Sequence, residues 1–210
     1  MKIRPKPRKQ LRYILFYKPY GVLSQFTPRG NLKSLKEFGP FPPEVYPVGR
    51  LDANSEGLIL LTNDDAAKFH LTDPRYKHPR TYLVQVENEP DEKDLADIRQ
   101  GVVIRGKRTV PAEVTLLQRE PDLPARPVPI RYRKNIPTSW IELTLYEGRN
   151  HQVRKMTAAV GHPTLRLVRT KIGPLHLAEL KPGQHRDLTQ EEILRLRYIL
   201  SAQPALKRDH

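Results

Sequence analysis

The stretch that most constrains this chain is residues 47–65, PVGRLDANSEGLILLTNDD. It joins a charged turn, Gly49-Arg50-Leu51-Asp52, to a small polar loop, an apolar run and three helix-capping residues. Gly49 and Gly57 bracket the loop and allow turns that other residues resist. Leu58, Ile59, Leu60 and Leu61 are apolar without alternation, the pattern of a strand covered on both faces. Thr62, Asn63 and Asp64 then predict a helix start. The Asp52 carboxylate is thereby held on a loop clamped by rigid elements, a common position for catalytic groups. By residue type alone, a surface ion pair between Arg50 and Asp52 is the plainer account.

The flanking sequence supplies further strands and helices. Residues 13–17, YILFY, are strand formers and end at Lys18-Pro19-Tyr20-Gly21. A short helical pattern covers 31–38, and the proline-rich GPFPPEVYP leads back to Gly49. A short helix is expected over 64–71, ended by Asp73-Pro74, and alternation over 80–87 predicts a half-buried strand. Residues 91–100 read as an amphipathic helix, with Leu95 and Ile98 inward and Gly101 as its stop. Strands follow over 102–104 and 110–117, joined through Gly106, and a central strand over 139–146 (SWIELTLY). A helix over 150–160 stops at Gly161, and a strand over 164–168 continues to Gly173. Thr189 and Glu192 have capping-box spacing for a last helix through Ser201. Helices and strands do not alternate strictly, so we expect an α+β fold, a mixed and mainly antiparallel sheet flanked by helices. Residues 120–137 form a long loop rich in proline and basic residues, read either as an RNA contact or as a disordered insertion. The division is a flexible basic arm over 1–12, one domain over 13–201 and a C-terminal tail over 202–210. The arm is equally readable as an anchor for a polyanion and as a solvated tail.

Charge narrows the partners. Lys and Arg number 37 against 23 Asp and Glu, a formal net charge of +14, which attracts polyanions, nucleic acid foremost. With no cysteine, disulfides, thiolate catalysis and thiolate metal sites are excluded. No apolar run approaches the roughly 20 residues that span a membrane, and no signal-peptide core follows the N-terminus, so a cytoplasmic protein is expected. The histidines lack metal-ligand spacing, and no phosphate-binding glycine loop is present, so neither metal nor cofactor is predicted.

GRLDANSEGLILLTND resembles the catalytic-aspartate motif of the pseudouridine synthases, and Ser55-Glu56-Gly57 is similar to the RsuA-type rather than the RluA-type branch. Residues 136–169, IPTSWIELTLYEGRNHQVRKMTAAVGHPTLRLVR, resemble the later active-site motif of that family, and the likeness runs from Tyr13 to Pro174. It implies the pseudouridine synthase catalytic fold over 13–201. It also implies that Asp52 acts on the ribose of a uridine, as nucleophile or charge stabiliser, without metal or cofactor. Burial would raise the pKa of such a carboxylate and a neighbouring cation would lower it. Arg154 matches the basic residue that pairs with the aspartate, and its geometry suits a bidentate pair. Tyr82 matches the active-site tyrosine of the family, whose ring can stack on an extruded uracil and whose hydroxyl can relay a proton from the sugar, and Arg50 matches the residue that fills the space left by the base. Without the resemblance, Tyr82 reads as a core tyrosine, and Arg154 as part of an exposed basic face with Arg149, His151 and Lys155. Asn150, Lys155, Arg166, Arg169 and Lys171 are assigned to RNA contact, and Leu51, Leu58 and Leu60 to packing. Enzymes of this branch often carry an S4-like RNA-binding domain ahead of the catalytic one, and a dozen residues cannot encode it. That departure resembles a subgroup acting on large-subunit (23S) ribosomal RNA, which is the expected partner of a monomer. The rivals are a synthase for small-subunit ribosomal RNA or transfer RNA, and a non-catalytic RNA-binding protein of ribosome assembly.

Overall fold

A computed structural model describes residues 10–130, 133 and 136–202. Most of the arm expected over 1–12, nearly all of the tail, and residues 131, 132, 134 and 135 of the long loop fall outside the described residues. The end of the arm is tied down. Arg12 Nη2 donates to both carboxylate oxygens of Asp187 at 2.9 and 3.0 Å, and Asn63 Nδ2 donates to the Gln10 carbonyl at 2.9 Å.

Thirteen strands and four α-helices are formed among the described residues. The first half of the chain holds β1 (Tyr13–Lys18), β2 (Val22–Leu23), β3 (Lys33–Ser34), β4 (Tyr46–Pro47), β5 (Glu56–Thr62), helix α1 (Asp65–Thr72), β6 (Arg80–Glu87) and α2 (Glu92–Gln100). There follow β7 (Val103–Ile104), β8 (Lys107–Arg108), β9 (Glu113–Leu116), β10 (Thr138–Leu145), α3 (Gln152–Ala159) and β11 (Thr164–Ile172). The chain closes with β12 (Leu175–His176), β13 (His185–Asp187) and α4 (Gln190–Ala202). The main sheet runs β13-β1-β5-β11-β6-β10-β9, with β12 added to β11 and β4 to β5. Every pairing in it is antiparallel except β5 with β11. The expected α+β fold, a mixed and mainly antiparallel sheet with packed helices, is the observed one.

Unbroken apolar runs are explained by cover on both faces of the sheet. Ile14 and Phe16 of β1 and Ile59 and Leu61 of β5 join Leu95, Ile98, Val153 and Met156 of α2 and α3 in one core. Tyr13, Leu15 and Tyr17, with Leu58 and Leu60, face the other way onto Ala67 and Leu71 of α1 and Leu196 of α4. A strand between two helical layers has no wet side, so it needs no polar alternation.

Strand β6 corrects the half-buried expectation. It lies between β11 and β10, and its polar residues are buried with cross-strand partners: Thr81 Oγ1 lies 2.8 Å from Thr144 Oγ1, and Gln85 Nε2 donates to Thr138 Oγ1 at 3.2 Å. The helical pattern over 31–38 gives instead the short β3 and one 3₁₀ turn, Leu35–Phe38, capped reciprocally by Ser34 and Glu37. Gly106, expected to join two longer strands, forms with Arg105 the turn of the β7–β8 hairpin, both at positive φ.

One glycine is fixed by contact. At Gly57, φ is +107°, and a Cβ built there would lie 2.3 Å from the Arg169 carbonyl oxygen. Its absence lets β11 run parallel beside β5 in the main sheet, with Arg169 opposite Gly57.

Candidate active site

A cleft of about 320 Å³ opens where the loop before β5, the start of β6, the end of β10 and the start of α3 meet. Asp52, Arg50, Tyr82, Asn150 and Arg169 all line it. Asp52 is only partly exposed, on a loop whose backbone is fixed at four successive residues. Ser24 Oγ accepts from the Leu51 amide at 3.0 Å and donates to the Leu51 carbonyl at 2.7 Å. The Asp52 carbonyl accepts from Ser55 N at 3.0 Å, and that of Ala53 from Gly21 N at 2.7 Å and from Lys18 Nζ at 3.3 Å. Arg154 Nη2 donates to the Asn54 carbonyl at 2.9 Å. Such bracing holds a carboxylate in one place before any substrate arrives.

Two basic residues of the 149–155 segment meet this loop in different ways. His151 Nδ1 lies 3.0 Å from Asp52 Oδ2. Arg154 sends its terminal nitrogens to the carbonyls of Asn54 and Thr164, at 2.9 and 3.3 Å, rather than to the carboxylate expected as its partner. Burial lowers the Arg154 pKa, while the nearby Asp52 charge raises it, and its buried Nε has no hydrogen-bond partner among the described residues. The turn that presents both residues is folded by its own sequence. Gln152 Oε1 accepts from the Arg149 amide at 2.8 Å, and Gln152 Nε2 donates to Glu147 Oε1 at 2.8 Å. His151 adopts the left-handed conformation, φ +52°, so α3 starts at Gln152 and not at 150.

Tyr82 is buried on β6 opposite Arg169 of β11, next to a bulge between Arg169 and Lys171. Arg169 is only 3% exposed. Its Nε donates to the Leu58 carbonyl at 2.8 Å, its buried Nη2 has no hydrogen-bond partner among the described residues, and burial lowers its pKa against the opposing influence of Tyr82. Arg169 therefore forms the cleft floor beneath Tyr82, not the open phosphate contact expected of it. Arg166 also departs from that expectation. It is buried in a bidentate pair with Glu56, at 2.9 Å for both bonds, and donates to the Pro124 carbonyl at 2.8 Å. Both lie on a strand covered on each face, which sequence spacing did not separate from an exposed basic row. Arg50 and Asn150 are exposed at the cleft; Lys155 reaches back to the Asn150 carbonyl, and Lys171 lies 4.0 Å from Glu142 at the surface.

Sequence reading gave no site role to Lys18, Ser24 or His151. Lys18 is fully buried, and burial lowers its pKa to about 7 despite the opposing charges of Glu56 and Asp52. Its Nζ donates to the carbonyls of Pro19 and Val22 at 2.9 and 2.8 Å as well as to Ala53. A lysine immediately before Pro-x-Gly at a strand end was the available signal. Among the described residues no group of three or more His, Asp or Glu is placed to hold a metal ion, and no helix is long and apolar enough to cross a membrane.

The chain is similar to known proteins along most of its length. Residues 12–159 match the family model described as RNA pseudouridylate synthase. The chain is 53% identical over 175 residues to the ribosomal large subunit pseudouridine synthase E of Xanthomonas campestris pv. campestris, covering 82% of this chain and 93% of that protein. It is 47% identical to the protein of the same name from Vibrio parahaemolyticus, covering 87% and 77%. A crystal structure of a pseudouridylate synthase superposes with a TM-score of 0.75 at 31% identity, covering 89% of this chain and 74% of the other.

Proposed function

The chain belongs to the RNA pseudouridylate synthase family, and from that premise we propose that it converts one uridine of large-subunit ribosomal RNA to pseudouridine through Asp52. The observation that carries this reading is the bracing of residues 51–54, which presents one carboxylate at the mouth of a cleft lined by Tyr82 and Arg169. The substrate follows from the names of the two relatives that cover most of the chain.

In this reading the uridine is extruded into the cleft, at a cost of a few kcal/mol that contacts to the flipped base offset. Arg50, exposed at the rim, fills the gap left in the RNA. Asp52, ionised, attacks C1′ or stabilises its developing positive charge as the N1–C1′ bond breaks. The uracil turns, C5 bonds to C1′ as any bond from C1′ to Asp52 breaks and frees the carboxylate, and the proton leaves C5 as N1 regains one. Atoms and electrons balance without an external oxidant or reductant. Tyr82 packs against the base, and Arg169 beneath it fixes the tyrosine. Arg154 acts by holding the Asn54 carbonyl and by keeping positive potential beside Asp52. Asn150, Lys155 and Lys171 are placed to meet the RNA backbone, which adds affinity and salt dependence more than sequence preference. All these groups come from one chain, so a monomer acting in the cytoplasm suffices.

The test is tritium release from 23S ribosomal RNA labelled at uridine C5, with wild type beside Asp52→Asn. Release of one label per RNA, abolished in a variant that still binds RNA, supports the reading. Release only from small-subunit ribosomal RNA or transfer RNA would move the substrate, and binding without release from any RNA would leave a non-catalytic protein.

A further inference from the structure

We propose that Tyr20 and Arg126 form a subsite for one backbone phosphate of the substrate RNA, beside the extruded uridine. The proposal rests on the reading that RNA is the substrate and adds a contact that none of the motif residues supplies.

The guanidinium of Arg126 lies over the Tyr20 ring, 4.3 Å from its centroid. Its Nε donates to the Val128 carbonyl. Its two terminal nitrogens make no hydrogen bond among the described residues, and both side chains remain partly exposed. One face of the planar cation is thus covered and one edge tied, which leaves a fixed pair of N–H donors open to an anion. That geometry matches a phosphate, and stacking on an aromatic ring holds it without neutralising the charge.

Both partners are fixed relative to the catalytic loop. Gly21, next to Tyr20, donates its amide to the Ala53 carbonyl at 2.7 Å. On the other side, Pro124 is held by Arg166 Nη2 at 2.8 Å, and Leu123 packs on the core between α1, α4 and the sheet. Pro121, Pro124, Pro127 and Pro129 restrict the intervening backbone. The start of the long loop is therefore tied to the sheet through Leu123 and Pro124 and brings Arg126 over Tyr20.

Charge points to the ligand. Besides burial, the nearby Arg126 charge lowers the Arg154 pKa, and among the described residues Arg126 forms no salt bridge. Two cations held together in the free protein are relieved when a phosphate enters between or beside them. Because Arg154 is bonded to Asn54, two residues after Asp52, that phosphate belongs to a nucleotide close to the target.

The experiment measures RNA affinity against salt, and KM and kcat by tritium release, for Arg126→Gln, Arg126→Lys, Tyr20→Leu and the Arg126→Gln/Tyr20→Leu double variant. Loss of one phosphate contact should flatten the slope of log affinity against log salt by about 0.7. Affinity should fall about tenfold in Arg126→Gln, with KM rising in step and kcat changing less than about twofold. Arg126→Lys should recover part of the slope, and the double variant should be no worse than either single one. RNAs carrying a single neutral methylphosphonate near the target should bind wild type more weakly at one position and show no further loss with Arg126→Gln. An unchanged salt slope in Arg126→Gln would overturn the proposal, and so would a fall in kcat at constant KM, which would place Arg126 behind Arg154. A reduced slope together with no tritium release from any RNA by wild type would instead fail the catalytic reading and keep the subsite.

Discussion

Asp52 Oδ2 lies 3.0 Å from His151 Nδ1, while Arg154, one helical turn beyond, gives its hydrogen bonds to the loop backbone instead of the carboxylate. The two side chains therefore do different work. The His151 pair is open to water on both sides, at 43% and 35% side-chain exposure, and such pairs contribute little. His151→Gln should lower kcat/KM by less than about tenfold. Arg154→Gln removes a partly exposed donor set that braces the loop, and a small displacement of a reacting group costs about a hundredfold. Single-turnover rates at saturating RNA decide the matter: equal losses in the two variants would mean that the histidine, not the arginine, governs Asp52.

Arg166 and Lys171 lie five residues apart on β11 and should respond in opposite ways. Removing one partner of a buried, bidentate pair strands the other charge and costs about 3–5 kcal/mol, so Arg166→Ala should lower the urea midpoint strongly. Its folded fraction should keep the wild-type salt dependence of RNA binding, because Glu56 and Pro124 already occupy the guanidinium. Lys171→Ala, at the surface, should change stability by no more than about 0.5 kcal/mol and should flatten the salt slope. A flattened slope in Arg166→Ala would show that the arginine leaves Glu56 to meet RNA.

Two glycines at similar positive φ separate conformational strain from steric conflict. At Gly161, φ +87°, nothing lies within 4 Å of a built Cβ, so Gly161→Ala should cost only the left-handed penalty of roughly 1–2 kcal/mol. At Gly57 the same methyl meets the Arg169 carbonyl at 2.3 Å, and β11 must move away from β5. Gly57→Ala should cost well over about 3 kcal/mol and abolish turnover even where some protein folds. Denaturant midpoints of the two variants give the comparison, and similar values would mean that the β5–β11 junction yields easily.

Much of this was legible in the sequence because it is local. LILL and YILFY announced strands with two dry faces, and Thr189 with Glu192 announced a capped helix whose bonds are observed, Glu192 N to Thr189 Oγ1 at 3.2 Å and Thr189 N to Glu192 Oε2 at 2.8 Å. Resemblance placed Asp52, Tyr82 and Arg50 at one cleft, where the structure also brings them. What escaped depends on contacts across long stretches of chain. Arg166 and Arg169 look like their exposed neighbours until β11 is seen between β5 and β6. Lys18 looks like a turn lysine until the 52–55 loop closes over it. β13 was missed because His185-Arg186-Asp187 has no apolar pattern, and its place at the edge beside β1 explains why it needs none.

Lys18 offers a test in pH. Burial lowers its pKa from 10.5 to about 7, so between those values the folded protein has released a proton that the unfolded chain still holds. The unfolded state then binds more protons, and stability rises with pH across that window. Below about pH 7 the lysine is charged in both states, and the cost of burying that charge is fully present; it is relieved as pH climbs toward 10.5. In Lys18→Met this contribution is absent. The unfolding free energy of wild type relative to Lys18→Met should therefore increase between pH 7 and 9, by at most about 1.4 kcal/mol per pH unit. Paired urea titrations at pH 6, 7, 8 and 9 measure the difference. A flat difference would mean that the carbonyls of Pro19, Val22 and Ala53, with Glu56 and Asp52, keep the ammonium charged throughout, and that it braces the catalytic loop as a cation. A rising difference would mean that the loop is held near neutral pH by an amine that has begun to lose its charge, so turnover in wild type should not collapse as Lys18 deprotonates.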